Sequence, residues 1–257
     1  MPIVNGIGCS EFTFEKQEIF HGIMDMHTSI VKSIIGRGKA APAYYYFDLT
    51  AGAGLYQDDK KRWIIGSPIR AIAHLQTKEM EYFATLYEAT KENADVLRNH
   101  LTMFNRHANT ICVINADSAE VIKEKLNGGK PKYGIIYADT NATIPPFETF
   151  TKLANISGYS CIDFMTTYAA SSHKRQIKAG HCDAKERLPE ILSKINKKFW
   201  LIREPTGKHQ WTFLIGTNWA NFPQWNKRGF FGITTQKGAE IYKQIWMTKA
   251  ELFDGLP

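Results

Sequence analysis

The chain has 257 residues, 44% of them apolar and 12% aromatic, enough for one domain with a sizeable core. No apolar run reaches the length of a membrane span, and the start, MPIVNGIGCSEF, lacks the basic region of a signal peptide, so a cytoplasmic protein is expected. Four cysteines (Cys9, Cys112, Cys161, Cys182) without CxxC spacing fit reduced thiols rather than a disulfide framework, and a formal charge of +7 with pI near 9.1 suggests an acidic partner, most commonly nucleic acid.

Taken in chain order, FEKQEIFHGIMDMHTSIVKSIIG (14–36) predicts a helix with an apolar stripe at Ile19, Ile23, Met26, Ile30 and Ile34. AYYYFDL (43–49) reads as a strand. GSPIRAIAHLQ (66–76) opens with a Ser-Pro helix entry. YFATLYEA (82–89) is a second strand. TKENADVLRNHLTMF (90–104) is a helix, with Thr90 as N-cap and Ala94, Leu97, Leu101 and Phe104 on its apolar side. TICVINA (110–116) is a third strand, followed by a helix at SAEVIKEKL (118–126). YGIIYAD (133–139) is a fourth strand, PFETFTKLAN (146–155) a helix and YSCIDFM (159–165) a fifth strand. KFWLIRE (198–204) and QWTFLIGTN (210–218) are joined only by PTGKH, too short for a parallel crossover, so they predict an antiparallel hairpin. The alternation predicts an α/β fold: a doubly wound, mostly parallel, seven-stranded sheet with right-handed crossovers and an antiparallel C-terminal hairpin. The strands are near-continuous apolar runs, as expected when both faces are covered.

Such a sheet binds ligands outside the carboxyl ends of its strands, where strand order reverses. The first strand ends there in DLTAGAG, residues 48–54. Small residues let the backbone approach a ligand without Cβ clashes, and Asp48 can organise the loop by hydrogen bonds. The GxGxxG spacing is not met, because Gln57 stands three residues beyond Gly54, and no P-loop Lys-Ser/Thr follows. An adenosyl ligand without phosphates is favoured over a pyrophosphate.

FDLTAGAG resembles motif I of the class I S-adenosylmethionine-dependent methyltransferases, and the resemblance covers roughly residues 43–218. It implies a Rossmann-like methyltransferase fold with S-adenosylmethionine as cofactor. Asp48, Thr50, Ala51, Gly52 and Gly54 would form the loop under its methionine part. Glu88 would grip the ribose hydroxyls, as a carboxylate suits a diol. Asp117 and Ser118 would lie near the adenine, and Asp139 would face the methyl donor. In the amino-methyltransferases of this family a (D/N/S)PP(Y/F/W) motif orients an exocyclic amine. Here the stretch reads Asp139-Thr140-Asn141-Ala142, and Pro145-Pro146-Phe147 arrives four residues late. Asp139 and Asn141 are the expected catalytic acceptors and Phe147 the base-stacking aromatic. The competing reading is that Pro145-Pro146 only starts a helix. No Pro-Cys follows the fourth strand, so nothing suggests cytosine C5 chemistry; Cys161 reads as a small core residue. The N-terminal helix, the Y-x-DL-x-AG-x-G-x-Y pattern and the GSP that follows look like the three-Cys-motif partner proteins. One domain over 1–257 is expected: a helical cap (1–40), a catalytic core (43–218) and an aromatic, helical extension (219–257).

Between Tyr168 and Lys208 ten Lys/Arg face four Asp/Glu, most of the net charge. Within TYAASSHKRQIKAGHCDAKER (167–187), Lys174, Arg175 and Lys178 are candidate phosphate contacts; the alternative is a solvated loop. His173, His181 and Cys182 match no common zinc spacing, so no metal is expected. In GTNWANFPQWNKRGFFG (216–232), Trp219, Phe222, Trp225, Phe230 and Phe231 interleave with Lys227 and Arg228. They read as a base-stacking surface that includes Trp219, or as core or dimer interface. His21 and His27 read as structural. The leading function is methyl transfer to a nucleic-acid base nitrogen, adenine N6 favoured. The alternatives are a small-molecule or protein acceptor, and a non-catalytic cofactor-binding partner subunit.

Overall fold

A computed structural model describes residues 3–4, 7–8, 13–57, 61–104, 110–117, 129–140, 143–181, 187–206, 211–220 and 225–246. The chain divides into two compact units, Met1–Tyr137 and Ala138–Pro257.

The first unit contains the short antiparallel pair β1 (Ile3–Val4) and β2 (Ile7–Gly8), then α1 (Thr13–Gly36), β3 (Tyr44–Asp48), β4 (Leu55–Gln57), β5 (Trp63–Ile65), α2 (Ser67–Thr77), β6 (Tyr82–Glu88), α3 (Lys91–Leu101), β7 (Ile111–Asn115) and β8 (Tyr133–Ala138). Its main strands lie in the order β8-β3-β6-β7, and all three neighbouring pairs are parallel. The chain runs outward from β3 to β6 to β7 and then returns to β8 on the other side of β3. Strand order therefore reverses between β3 and β8, and Asp48 and Tyr137 are partners at that carboxyl edge.

Tyr44, Tyr46, Tyr82 and Tyr87 are fully buried, each stabilising the unit by about 1.5–3 kcal/mol on the scale of a buried large apolar side chain. Helix α1 is held by polar contacts as well as apolar ones. Its His27 pairs through Nδ1 with the Tyr44 hydroxyl at 2.9 Å. The Thr28 hydroxyl donates to Met24 O at 2.7 Å, so at 2.9 Å His74 Nε2 is the donor to Thr28 Oγ1. Burial, then the neighbouring His21, lowers the pKa of His74 and keeps it neutral. The predicted stripe of α1 is rotated. Gln17, Phe20, Ile23, Met24, His27, Thr28 and Val31 are buried, whereas Ile19, Met26, Ile30 and Ile34 are only half-buried. Side-chain pairing of His27 and Thr28 moves the buried face by about one position.

The second unit contains α4 (Phe147–Ala154), β9 (Ile162–Ala169), α5 (Ala170–Lys178), α6 (Leu188–Ser193), β10 (Phe199–Arg203), β11 (Trp211–Thr217), β12 (Phe230–Gly232) and α7 (Gln236–Trp246). Its strands lie in the order β12-β10-β11-β9 and all three pairs are antiparallel, including the predicted β10–β11 hairpin. The fold is thus the α/β class read from the sequence, and each of the seven predicted strands forms. An eighth, β12, carries the buried Phe230 into the sheet, so that aromatic belongs to the core.

Two boundaries differ from expectation. The fifth strand runs over 162–169 instead of 159–165, because Thr166 satisfies its hydroxyl on Ala138 O at 2.8 Å and so remains in a buried strand. The basic stretch after it is not a loop: residues 170–178 form α5, with Ala170, Ser172 and His173 buried. The predicted helix 118–126, and Cys9, Cys182 and Phe222, lie outside the described residues.

Lys197 is buried in the second unit. It donates to Tyr159 O at 3.0 Å and Ile162 O at 2.6 Å, with its ammonium 4.5 Å from the centre of the Phe164 ring. Burial lowers its pKa from 10.5 to about 8, against the opposing pull of Asp163 and Cys161. Between those two values the unfolded chain binds the proton more tightly. The stability of the wild type relative to Lys197→Met should therefore rise with pH across that window, by up to about 3 kcal/mol, and stay constant below it. Urea midpoints of both proteins at several pH values would test this; a difference that does not change with pH overturns it.

Candidate cofactor site at the carboxyl edge of the parallel strands

In β3, Tyr46 and Asp48 are two residues apart and so share one face of the strand. Asp48 is fully buried. Its Oδ2 accepts from the Tyr46 hydroxyl at 2.8 Å and from the Ser67 hydroxyl at 2.7 Å, while Oδ1 accepts from the backbone N–H of Thr50 at 3.1 Å. Burial first, and then the charge of Asp48, push the Tyr46 pKa far up, so that phenol stays protonated and donates. One carboxylate thereby ties the end of β3 to the first turn of α2 and to the start of the glycine loop.

The loop backbone is held almost residue by residue. Leu49 N–H donates to Tyr137 O at 2.8 Å and Ala51 N–H to Tyr87 O at 2.9 Å, so the loop leaves the sheet between its neighbouring strands. Gly52 and Gly54 have φ of 61° and 81°, a region side-chain-bearing residues rarely adopt. A Cβ on Gly54 would sit 2.7 Å from Leu97 Cδ1 and 2.9 Å from Ile69 Cδ1. His100 Nδ1 lies 2.7 Å from Ala53 O, and since a carbonyl only accepts, that nitrogen carries the proton. Gly66 N–H donates to Gly54 O at 2.7 Å and closes the base of the β4–β5 hairpin.

Glu88 ends β6 and turns its carboxylate onto the loop. Oε2 accepts from Gly52 N–H at 2.9 Å, and Oε1 accepts from Thr90 N–H at 2.9 Å and from Asn93 at 3.5 Å. Asn115 of β7 donates to Glu88 O and Ala89 O, both at 2.9 Å, fixing the neighbouring strand end; the exposed Asp117 follows two residues later. The structure thus hydrogen-bonds both Asp48, through Thr50, and Glu88, through Gly52, to one glycine loop that also holds Ala51 and Gly54. Ser118 lies outside the described residues.

This cluster fits an adenosyl sulfonium ligand. Residues 51–54 offer backbone with at most a methyl side chain, and Glu88 offers a fixed acceptor pair. No Lys or Arg stands between residues 44 and 57 to meet a phosphate. Sequence reading missed Tyr46, Ser67 and His100. The i, i+2 spacing of Tyr46 and Asp48 was a usable signal; Ser67 and His100 meet the loop only through tertiary packing.

The remaining candidates lie in the second unit. Asp139 is half-buried and its Oδ1 accepts from the Thr167 hydroxyl at 2.6 Å. Asn141 lies outside the described residues. Phe147 is buried as the first residue of α4, with Pro146 at the N-cap, so the prolines do open a helix and the ring offers no free face to a base. Lys174 donates to Trp246 O, with its ammonium 5.3 Å from the Trp246 ring centre, tying α5 to α7. Arg175 is exposed and donates to Ser172 Oγ at 3.1 Å; Lys178 is exposed; Trp219 is half-buried. Among the described residues no group of three His, Cys, Asp or Glu side chains forms a metal site, and no helix is long and apolar enough to cross a membrane.

No protein-family model and no curated protein matches the chain. Solved structures similar to it include a candidate sarcosine dimethylglycine methyltransferase from Galdieria sulphuraria, with 12% identity over 74% of this chain and 65% of that one and a TM-score of 0.45. Also similar are a Legionella pneumophila protein (14% identity, 81% and 89% covered, TM-score 0.46) and magnesium protoporphyrin IX methyltransferase from Synechocystis with bound S-adenosylhomocysteine (12%, 82% and 89%, TM-score 0.42). The alignment spans less than two thirds of the Galdieria sulphuraria protein, and all three likenesses are distant.

Proposed function

We propose that the chain is an S-adenosylmethionine-dependent methyltransferase that methylates a nitrogen of a nucleic-acid base. The observation that carries the cofactor half is the Asp48–loop–Glu88 cluster at the point where strand order reverses. In this reading Asp48 fixes the loop through Thr50, and the backbone of residues 50–54 lies against the methionine part. Glu88 accepts from the ribose hydroxyls while its bond to Gly52 keeps it against the loop. Asp117, with Ser118 beside it in the sequence, serves the adenine. The bound sulfonium supplies an activated methyl group, so the chain's own work is positioning and excluding water. Asp139, oriented by Thr167, is assigned to accept a hydrogen from the acceptor amine, with Asn141 two residues further along the sequence.

The nucleic-acid half is supported by the charge of +7 and by the exposed Arg175 and Lys178 on α5. The burial of Phe147 and the tie of Lys174 to Trp246 take those two residues out of the substrate contacts. That loss leaves a small-molecule or protein acceptor as the second reading.

Titration calorimetry with S-adenosylmethionine tests the cofactor half. Glu88→Ala should weaken binding about 10- to 100-fold, since it removes a charged acceptor worth about 1.5–3 kcal/mol. Wild-type protein that binds no S-adenosylmethionine would refute the reading. Radiolabelled methyl transfer to single-stranded DNA, duplex DNA, tRNA and rRNA tests the acceptor; label in none of them, with cofactor binding intact, moves the acceptor to a small molecule or protein.

A further inference from the structure

The β4–β5 hairpin grows directly out of the glycine loop, between Gly54 and Gly66, and one of its faces carries two exposed apolar side chains. Its register pairs Leu55 with Ile65 and Gln57 with Trp63, so these four side chains share a face, while Ile64 points to the other and is buried. On the first face Trp63 is 62% exposed and Ile65 43% exposed. An indole displayed so openly on a two-stranded ribbon contributes little to the fold.

The charge beside it narrows what can cover it. Lys61 and Arg62 directly precede Trp63. Lys61 is exposed with φ of 58°, and Arg62 is exposed with its guanidinium 5.1 Å from the centre of the Phe14 ring, itself 41% exposed. A second copy of the chain also carries a net charge of +7, so two copies repel one another overall. A polyanion with planar, apolar faces meets both features.

We infer that the β4–β5 hairpin is a single-stranded nucleic-acid platform, with a base stacked on Trp63 and backbone phosphates beside Lys61 and Arg62. The inference deepens the nucleic-acid reading above and depends on it for the partner's chemistry, although not on cofactor binding. Base–aromatic stacking tolerates any sequence, so the platform would hold the strand next to the cofactor loop without selecting a target.

Fluorescence anisotropy with labelled oligodeoxythymidylate and oligouridylate tests it, at several salt concentrations. Trp63→Ala should raise Kd about tenfold or more, the scale of one lost base–aromatic stack, and leave the salt slope unchanged. Trp63→Phe should recover most of the affinity. Arg62→Gln should flatten the logarithmic salt slope by about 0.7, the value for one phosphate contact on a single strand. Because Trp63 is exposed, the Ala variant should keep the wild-type circular dichroism melt and the wild-type affinity for S-adenosylmethionine. Equal oligonucleotide affinity in Trp63→Ala and wild type overturns the platform, as does no oligonucleotide binding by wild type. So does a wild-type dimer, seen by sedimentation, that Trp63→Ala dissolves. In each case calorimetry with S-adenosylmethionine reports separately on the methyltransferase reading.

Discussion

Asp48→Ala should cost about 3 kcal/mol or more of unfolding free energy, because it strands three donors where water does not reach them easily. The Tyr46 hydroxyl is wholly buried and the Ser67 hydroxyl nearly so, and both donate to the same oxygen. Thr50 N–H loses its acceptor as well. Neither hydroxyl can turn to water without opening the β3–α2 packing. Asp48→Asn separates charge from geometry. Its amide oxygen can replace Oδ2 for the two hydroxyls, while its NH2 then faces Thr50 N–H donor to donor, so about half of the loss should remain. The same order, wild type above Asn above Ala, should appear in S-adenosylmethionine affinity if the loop is the cofactor cradle. Urea midpoints for the three proteins decide the matter. An Ala variant within about 1 kcal/mol of wild type would mean that the carboxylate is not the joint of this corner.

What the sequence could show follows from where each constraint lies. The strand ends at Asp48 and Glu88 were legible because an acid that closes an apolar run marks the point where a buried strand reaches the edge of its sheet. After Asp48 come residues as small as Thr50-Ala51-Gly52-Ala53-Gly54, which suit a tight loop and little else; both glycines do adopt positive φ. The antiparallel hairpin was legible from the five-residue connection alone. The bond of Asp48 to Ser67 and the clasp of His100 on Ala53 O were not, since they join residues 19 and 47 positions apart. Composition misled at α5: the stretch with Lys174, Arg175 and Lys178 read as a basic loop, for phosphate contacts or for plain solvation, yet it forms a helix with Ala170, Ser172 and His173 buried. Composition misled in the opposite sense at Phe147, where an aromatic after two prolines suggested a stacking ring and instead starts the buried side of α4. The β4–β5 hairpin was invisible because three-residue strands carry too little periodicity to register.

Gly134→Ala should be the most damaging single methyl in the first unit. Gly134 pairs with Tyr45 across the β3–β8 ladder, the pair of strands between which the order reverses. A Cβ there would fall 1.7 Å from Tyr45 O and 2.6 Å from Tyr45 C, both backbone atoms. A crowded side chain can change rotamer, but a strand hydrogen-bonded on both sides cannot step back without breaking its ladders to β6 and β8. The loss should therefore exceed the usual 1–3 kcal/mol of an overpacked core, at about 4 kcal/mol or more. It should also reach the candidate site, since three residues further on Tyr137 supplies the carbonyl that holds Leu49 at the start of the glycine loop. Gly129→Ala is the control. Its added Cβ meets nothing within 4 Å, and only its φ of 79° opposes the change, so it should cost about 1 kcal/mol. Thermal and urea unfolding of the two variants side by side distinguish backbone collision from backbone strain. Equal losses would mean that β8 can shift against β3, and that the close approach at Gly134 does not hold the switch point in place.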